Sequence, residues 1–144
     1  MNLQTEQDLI DYGRKIGEKL TPPAVIELIG DVGAGKTTFT RGLAEGLGVK
    51  EPITSPSFTI AKRYAYDQNG VTHYLTHYDF YRLTDPGLMS EDLAESISDQ
   101  DTIVVLEWAE TVADILPENR LTYAIRLNDD GSRSIKEQTN ETLS

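Results

Sequence analysis

The stretch GDVGAGKT, residues 30–37, fits the pattern G-x-x-x-x-G-K-[ST], with Gly30, Gly35, Lys36 and Thr37 at its fixed places. No other feature constrains the fold so tightly. Such a loop works between a strand that delivers it and a helix that leaves it. Its glycines fold the backbone round a phosphate, and the helix adds the positive end of its dipole. Both flanks are present. AVIELI (24–29) is a short apolar run that reads as a buried strand. KTTFTRGLAEGLGV (36–49) reads as a helix, with Phe39, Leu43 and Leu47 on one stripe and Gly48 near its end. A glycine-rich turn without function is the alternative, and this context weighs against it. The cradle comprises Gly30, Asp31, Val32, Gly33, Ala34, Gly35, Lys36, Thr37 and Thr38. Lys36 is expected to reach the β- and γ-phosphates and the Thr37 hydroxyl to hold Mg2+.

The rest of the chain alternates in the same way. Residues 5–20 have helical spacing at Leu9, Ile10, Ile16 and Leu20, with Thr5 as N-cap; Gly13 and Gly17 weaken this helix and Pro22–Pro23 stop it. Two alternating, tyrosine-rich runs flank DQNG (67–70), a hairpin signal, and NDDG (128–131) marks a second hairpin. MSEDLAESI (89–97) reads as a helix capped by Ser90, TIVVLE (102–107) as a second buried strand, and AETVADIL (109–116) as a helix ended by Pro117. Glu27 is the misfit in its apolar run, either at a strand end or facing a cation. The expected fold is α/β: a single P-loop NTPase domain over 1–137, with a mixed, mainly parallel sheet, helices on both faces and antiparallel hairpins. Residues 138–144 read as a loose polar tail.

Charge limits the partners. Lys and Arg number 13 against 24 Asp and Glu, a formal net of -11. Phosphate backbones are held by Lys and Arg, so tight binding of nucleic acid by this chain alone is not expected. Between Arg82 and Arg120 there is no basic residue, while ten acids fall there: Asp85, Glu91, Asp92, Glu95, Asp99, Asp101, Glu107, Glu110, Asp114 and Glu118. That span is either a solvated face or a docking face for a basic partner. There are no cysteines, no apolar run of membrane length and no secretory signal, which together point to the cytoplasm.

A magnesium nucleotide site needs an acid from a neighbouring strand end. Glu107 closes the apolar run IVVLE, and Asp79 follows an alternating strand in HYDFYR (77–82). Either can hold Mg2+ while the other orients or deprotonates water, and the sequence does not divide the roles. ITSPSF (53–58) lies where GTPases carry a γ-phosphate-sensing loop, with Thr54, Ser55 and Ser57 as hydroxyl donors; a plain turn set by Pro56 is the alternative. His73 and His77 sit on one strand face, too far apart for a shared ion. Trp108 follows Glu107 and is suited to hold it by packing. DQNG mimics a GTPase motif but falls in a hairpin turn, and no N-K-x-D is present, so ATP is favoured over GTP.

Three activities remain. A small nucleoside or metabolite kinase needs cations round the transferred group, leaving Arg82, Arg63 or Arg126 for that work. A non-catalytic nucleotide sensor has no need of two acids. An ATPase does.

Taken together, GDVGAGKTTFTRGL, ITSPSF, HYDFYRL and LEWAE resemble, in order and spacing, the TsaE (YjeE) family over roughly residues 5–135. The resemblance implies an accessory ATPase in the formation of threonylcarbamoyladenosine at position 37 of tRNAs reading codons that begin with A. Its partner would be the TsaD–TsaB heterodimer, whose repeated turnover requires ATP hydrolysis. It also implies that Lys36 and Thr37 bind phosphate and Mg2+, that Asp79 and Glu107 are the essential acids, and that Trp108 sits beside the site. His77 and Arg82 complete the H-x-D-x-Y-R pattern next to them.

Overall fold

Two apolar strands at the centre set the architecture. The computed structural model describes residues 2–31, 33–54, 61–81 and 87–139. In chain order these form β1 (Asn2–Leu3), α1 (Glu6–Lys19), β2 (Ala24–Ile29), α2 (Lys36–Leu47), β3 (Ala61–Gln68) and β4 (Val71–Asp79). Then come α3 (Gly87–Ser98), β5 (Thr102–Glu107), a 3-10 helix (Ala109–Ile115), β6 (Leu121–Leu127) and β7 (Arg133–Thr139). The sheet order is β1-β7-β6-β2-β5-β4-β3. Strands β6, β2, β5 and β4 run parallel, while β3, β7 and β1 join antiparallel at the flanks. This is the mixed, mainly parallel sheet expected from the sequence.

Alternation along the strands sorts the two cores. Ile26, Leu28, Ile103 and Val105 face α1 and α2, where Leu9, Phe39 and Leu43 are fully buried. Val25, Val104 and Leu106 face the other way, against Leu93 of α3 and against Val112 and Leu116. Helices thus cover both faces. Among the described residues no helix is long and apolar enough to cross a membrane.

The glycines that weaken α1 in the sequence are its contact surface. A methyl group on Gly17 would overlap the Leu43 carbonyl, and one on Gly13 would lie 2.6 Å from the Phe39 carbonyl. From the other side, methyl groups on Gly42 and Gly46 would overlap the carbonyls of Ile10 and Arg14. The two helices meet backbone to backbone. Their weak intrinsic propensity is offset by a capping box at Thr5 and Asp8, which satisfies orphan N–H groups at the start of α1.

Several expectations are corrected. Residues 109–115 wind as a 3-10 helix rather than an α-helix. Helix α3 begins at Gly87, so Ser90 lies in its first turn and does not cap it. Strand β7 continues to Thr139, two residues into the segment read as tail. The short β1, unforeseen, pairs with β7. Glu27 does meet a cation: Arg120 donates to it from Nε at 2.9 Å and to the Pro117 carbonyl from Nη1. At the 68–71 hairpin, Asn69 and Gly70 both take positive φ, 56° and 79°, as a two-residue turn between twisted strands requires.

Candidate functional site

Parallel strands bring their carboxyl ends to one edge of the sheet, and ligands of α/β folds bind there. Here β2 delivers the loop 30–35, β5 delivers Glu107 and β4 delivers Asp79. Leu28 pairs with Glu107, and Glu107 with Asp79, so the loop and both acids lie on adjacent strands. They border a cavity of about 470 Å3. Gly33, Gly35, Lys36, Thr37 and Thr38 line it from the loop and α2, and Asp79, Tyr81, Glu107 and Trp108 from the two strand ends. Glu6, Leu9 and Arg133 complete it.

The loop needs glycine for definite reasons. Gly35 caps α2 at φ 117°, and a Cβ there would meet the Leu9 side chain at 2.6 Å. The turn is closed by a hydrogen bond from the Ala34 N–H to the Asp31 carbonyl, and Arg133 Nε donates to the Ala34 carbonyl at 3.0 Å.

Lys36 is the buried cation of the site, 5% exposed. Its Nζ donates to the Gly30 carbonyl at 2.6 Å, lies 3.7 Å from the Trp108 ring centroid and 3.9 Å from Glu107 Oε1. Burial holds its pKa below the ordinary lysine range, and Glu107, Asp79, Asp31 and Glu110 oppose that shift. An ammonium so desolvated is a strong partner for phosphate oxygens.

Glu107 is buried and divides its oxygens. Oε2 lies 2.5 Å from Nε2 of the fully buried His77, and Oε1 is the oxygen on the Lys36 side. Asp79 is half-buried and accepts from the Tyr81 N–H at 3.0 Å. Trp108 stands in the left-handed region, φ 58° and ψ 49°. For a bulky residue this costs on the order of 1 kcal/mol, and such strain gathers at functional sites. The Trp108 ring has Lys36 at one side and lies 4.9 Å, between centroids, from the exposed Tyr81.

The donor set fits a magnesium nucleotide. Mg2+ takes oxygen ligands at one or two carboxylates and completes its shell with phosphates and water. Thr37, Glu107 and Asp79 all border the cavity and offer oxygens of the kind Mg2+ takes.

Most of the expected site thus comes together. Val32, Ser55, Ser57 and Arg82 lie outside the described residues. Thr54 meets the Tyr64 hydroxyl and borders a separate depression beside α2. His73 faces Asp101, away from His77. The hydrogen-bond partner of Glu107 is His77, and the Trp108 ring lies against Lys36 and Tyr81. Glu6, Leu9 and Arg133 were not foreseen. Arg133 opens the second strand of a hairpin, and only the order β7-β6-β2 carries it to the loop.

The TsaE family model, described as threonylcarbamoyl adenosine biosynthesis protein TsaE, matches residues 3–135. The chain is 41% identical over 115 residues to the tRNA threonylcarbamoyladenosine biosynthesis protein TsaE of Streptomyces coelicolor, covering 80% of this chain and 76% of that one. It is 38% identical over 132 residues to the protein of the same name from Treponema pallidum, covering 92% and 94%. The crystal structure of Bacillus subtilis YdiB superposes with a TM-score of 0.71 at 34% identity, over 94% of this chain and 80% of that one.

Proposed function

The chain belongs to the TsaE family of tRNA threonylcarbamoyladenosine biosynthesis, and on that premise we propose that it is the pathway's accessory ATPase. It binds ATP with Mg2+ in the cytoplasm and hydrolyses it to support repeated turnover of a TsaD–TsaB heterodimer. The observation that carries this reading is Lys36, buried between the Gly30 carbonyl, Trp108 and Glu107 in a cavity that Asp79 also borders.

Each residue then has a task. The loop 30–38 cradles the phosphates, and Lys36 neutralises charge on the β- and γ-phosphates. Thr37 and one of the two acids would hold Mg2+, which when bound would offset charge on the phosphate oxygens. The acid not occupied by the metal orients the attacking water. Glu6, Leu9 and Arg133 border the remainder of the cavity and take the rest of the nucleotide. The net charge of -11 supports docking on proteins that grip tRNA over gripping it directly.

Phosphate release with Mg2+ and ATP, measured with and without TsaD–TsaB, tests this. Slow release that rises at least about tenfold with the heterodimer is expected, because partner groups commonly complete such sites. Rapid release indifferent to the heterodimer, or phosphate passed to a small acceptor, would overturn it.

A further inference from the structure

We propose that His77 is a positioning residue for Glu107, which it turns so that one carboxylate oxygen faces the cavity. The proposal rests on reading Glu107 as a working acid of the nucleotide site.

The geometry is specific. His77 is fully buried on β4, and Glu107 on β5 is 4% exposed. Parallel pairing sets His77 opposite Val105 and Asp79 opposite Glu107, so the imidazole sits two residues behind the acids at the strand ends. Nε2 contacts Glu107 Oε2 at 2.5 Å, while Nδ1 is buried and has no hydrogen-bond partner among the described residues. The ring therefore makes one polar contact, and that contact is the carboxylate. A histidine serving only to fill the core would leave both nitrogens costly to bury. Lys36 is placed differently: its ammonium donates to the Gly30 carbonyl and stands 3.9 Å from the other oxygen, beyond hydrogen-bond distance. A carboxylate held at one oxygen has its other oxygen aimed, which is how a supporting shell fixes a metal ligand or a base.

Two substitutions separate aim from packing. His77→Phe keeps a ring of similar size without a donor, whereas His77→Gln offers an amide N–H near the Nε2 position. In His77→Phe, kcat for ATP hydrolysis is expected to fall about tenfold or more, with nucleotide Kd within about threefold of the parent. His77→Gln is expected to recover at least about a third of the parental kcat. Parental kcat in His77→Phe would overturn the proposal. So would loss of binding and of kcat together in both variants, since that marks a packing residue. A readout free of turnover is the 15N signal of the His77 ring in the full chain. Glu107→Gln should move the Nε2 resonance, and an unmoved resonance would overturn the pairing. If the parent protein and its heterodimer complex release no phosphate, the ATPase reading fails, and the ring signal still decides whether His77 holds Glu107.

Discussion

Strands β2 and β5 lie side by side, and each carries one carboxylate in an otherwise apolar run. Glu27, fourth of six residues in β2, is answered by a close cation: Arg120 Nε meets its Oε1 at 2.9 Å and Arg120 is itself tied to the Pro117 carbonyl. Glu107, last residue of β5, has His77 on Oε2 and the Lys36 ammonium 3.9 Å from Oε1, at the wall of the cavity. The same side chain in neighbouring strands has taken opposite parts. Within a strand, a carboxylate needs a closed ion pair to remain buried. At the carboxyl edge it can keep an oxygen turned toward a ligand.

Substitutions at the two acids should separate most sharply. Glu107→Gln is expected to lower ATP hydrolysis by about 100-fold, nearly 3 kcal/mol of barrier, while Tm stays within about 3 °C. Glu27→Gln should leave hydrolysis within about twofold and lower Tm instead. Phosphate release and thermal melting on the same samples check both, and equal losses of hydrolysis at the two positions would break the contrast. The next effect is purely structural. Arg120→Met strands a mostly buried carboxylate and should cost about 2 kcal/mol, or roughly 6 °C in Tm, with hydrolysis unchanged. Adding Glu27→Leu should return most of that loss in a double-mutant cycle.

Smaller shifts are expected away from the acids. Arg133→Ala removes the donor on the Ala34 carbonyl and should raise the nucleotide Kd about fivefold, close to 1 kcal/mol, by titration calorimetry. Lys36 gives a pH signature of opposite signs. Its depressed pKa means that, between that value and the ordinary lysine value, the unfolded chain binds more protons than the folded one. The nucleotide-free protein should therefore gain stability as pH rises through that window, while nucleotide affinity falls as the ammonium is lost. Melting and binding measured across the alkaline range read both directions.

What was legible in the sequence is what local spacing encodes. The loop, the apolar strands, the stripe of Phe39, Leu43 and Leu47 and the Asn69-Gly70 turn each declare themselves within a few residues. Asp79 and Glu107 were legible as strand-end acids because apolar or alternating runs precede them. Other features depend on partners distant in the chain. Arg133 reaches the loop across 99 positions, and Arg120 reaches Glu27 across 93. The 3-10 form of residues 109–115 follows a left-handed Trp108, which periodicity does not announce. Gly13 and Gly17 were read as weakness because helix propensity is a property of one helix, whereas their role exists only between two.

That last contact has a mechanical meaning. Where side chains separate two helices, rotamer adjustments absorb small displacements; where backbone rests on backbone, little remains to yield. Helix α1 carries Glu6 and Leu9 to the cavity wall, and α2 carries Lys36 and Thr37 to its floor. The pair is closely seated, so a shift of α1 has little side-chain slack to absorb it before it reaches α2 and the loop 30–35.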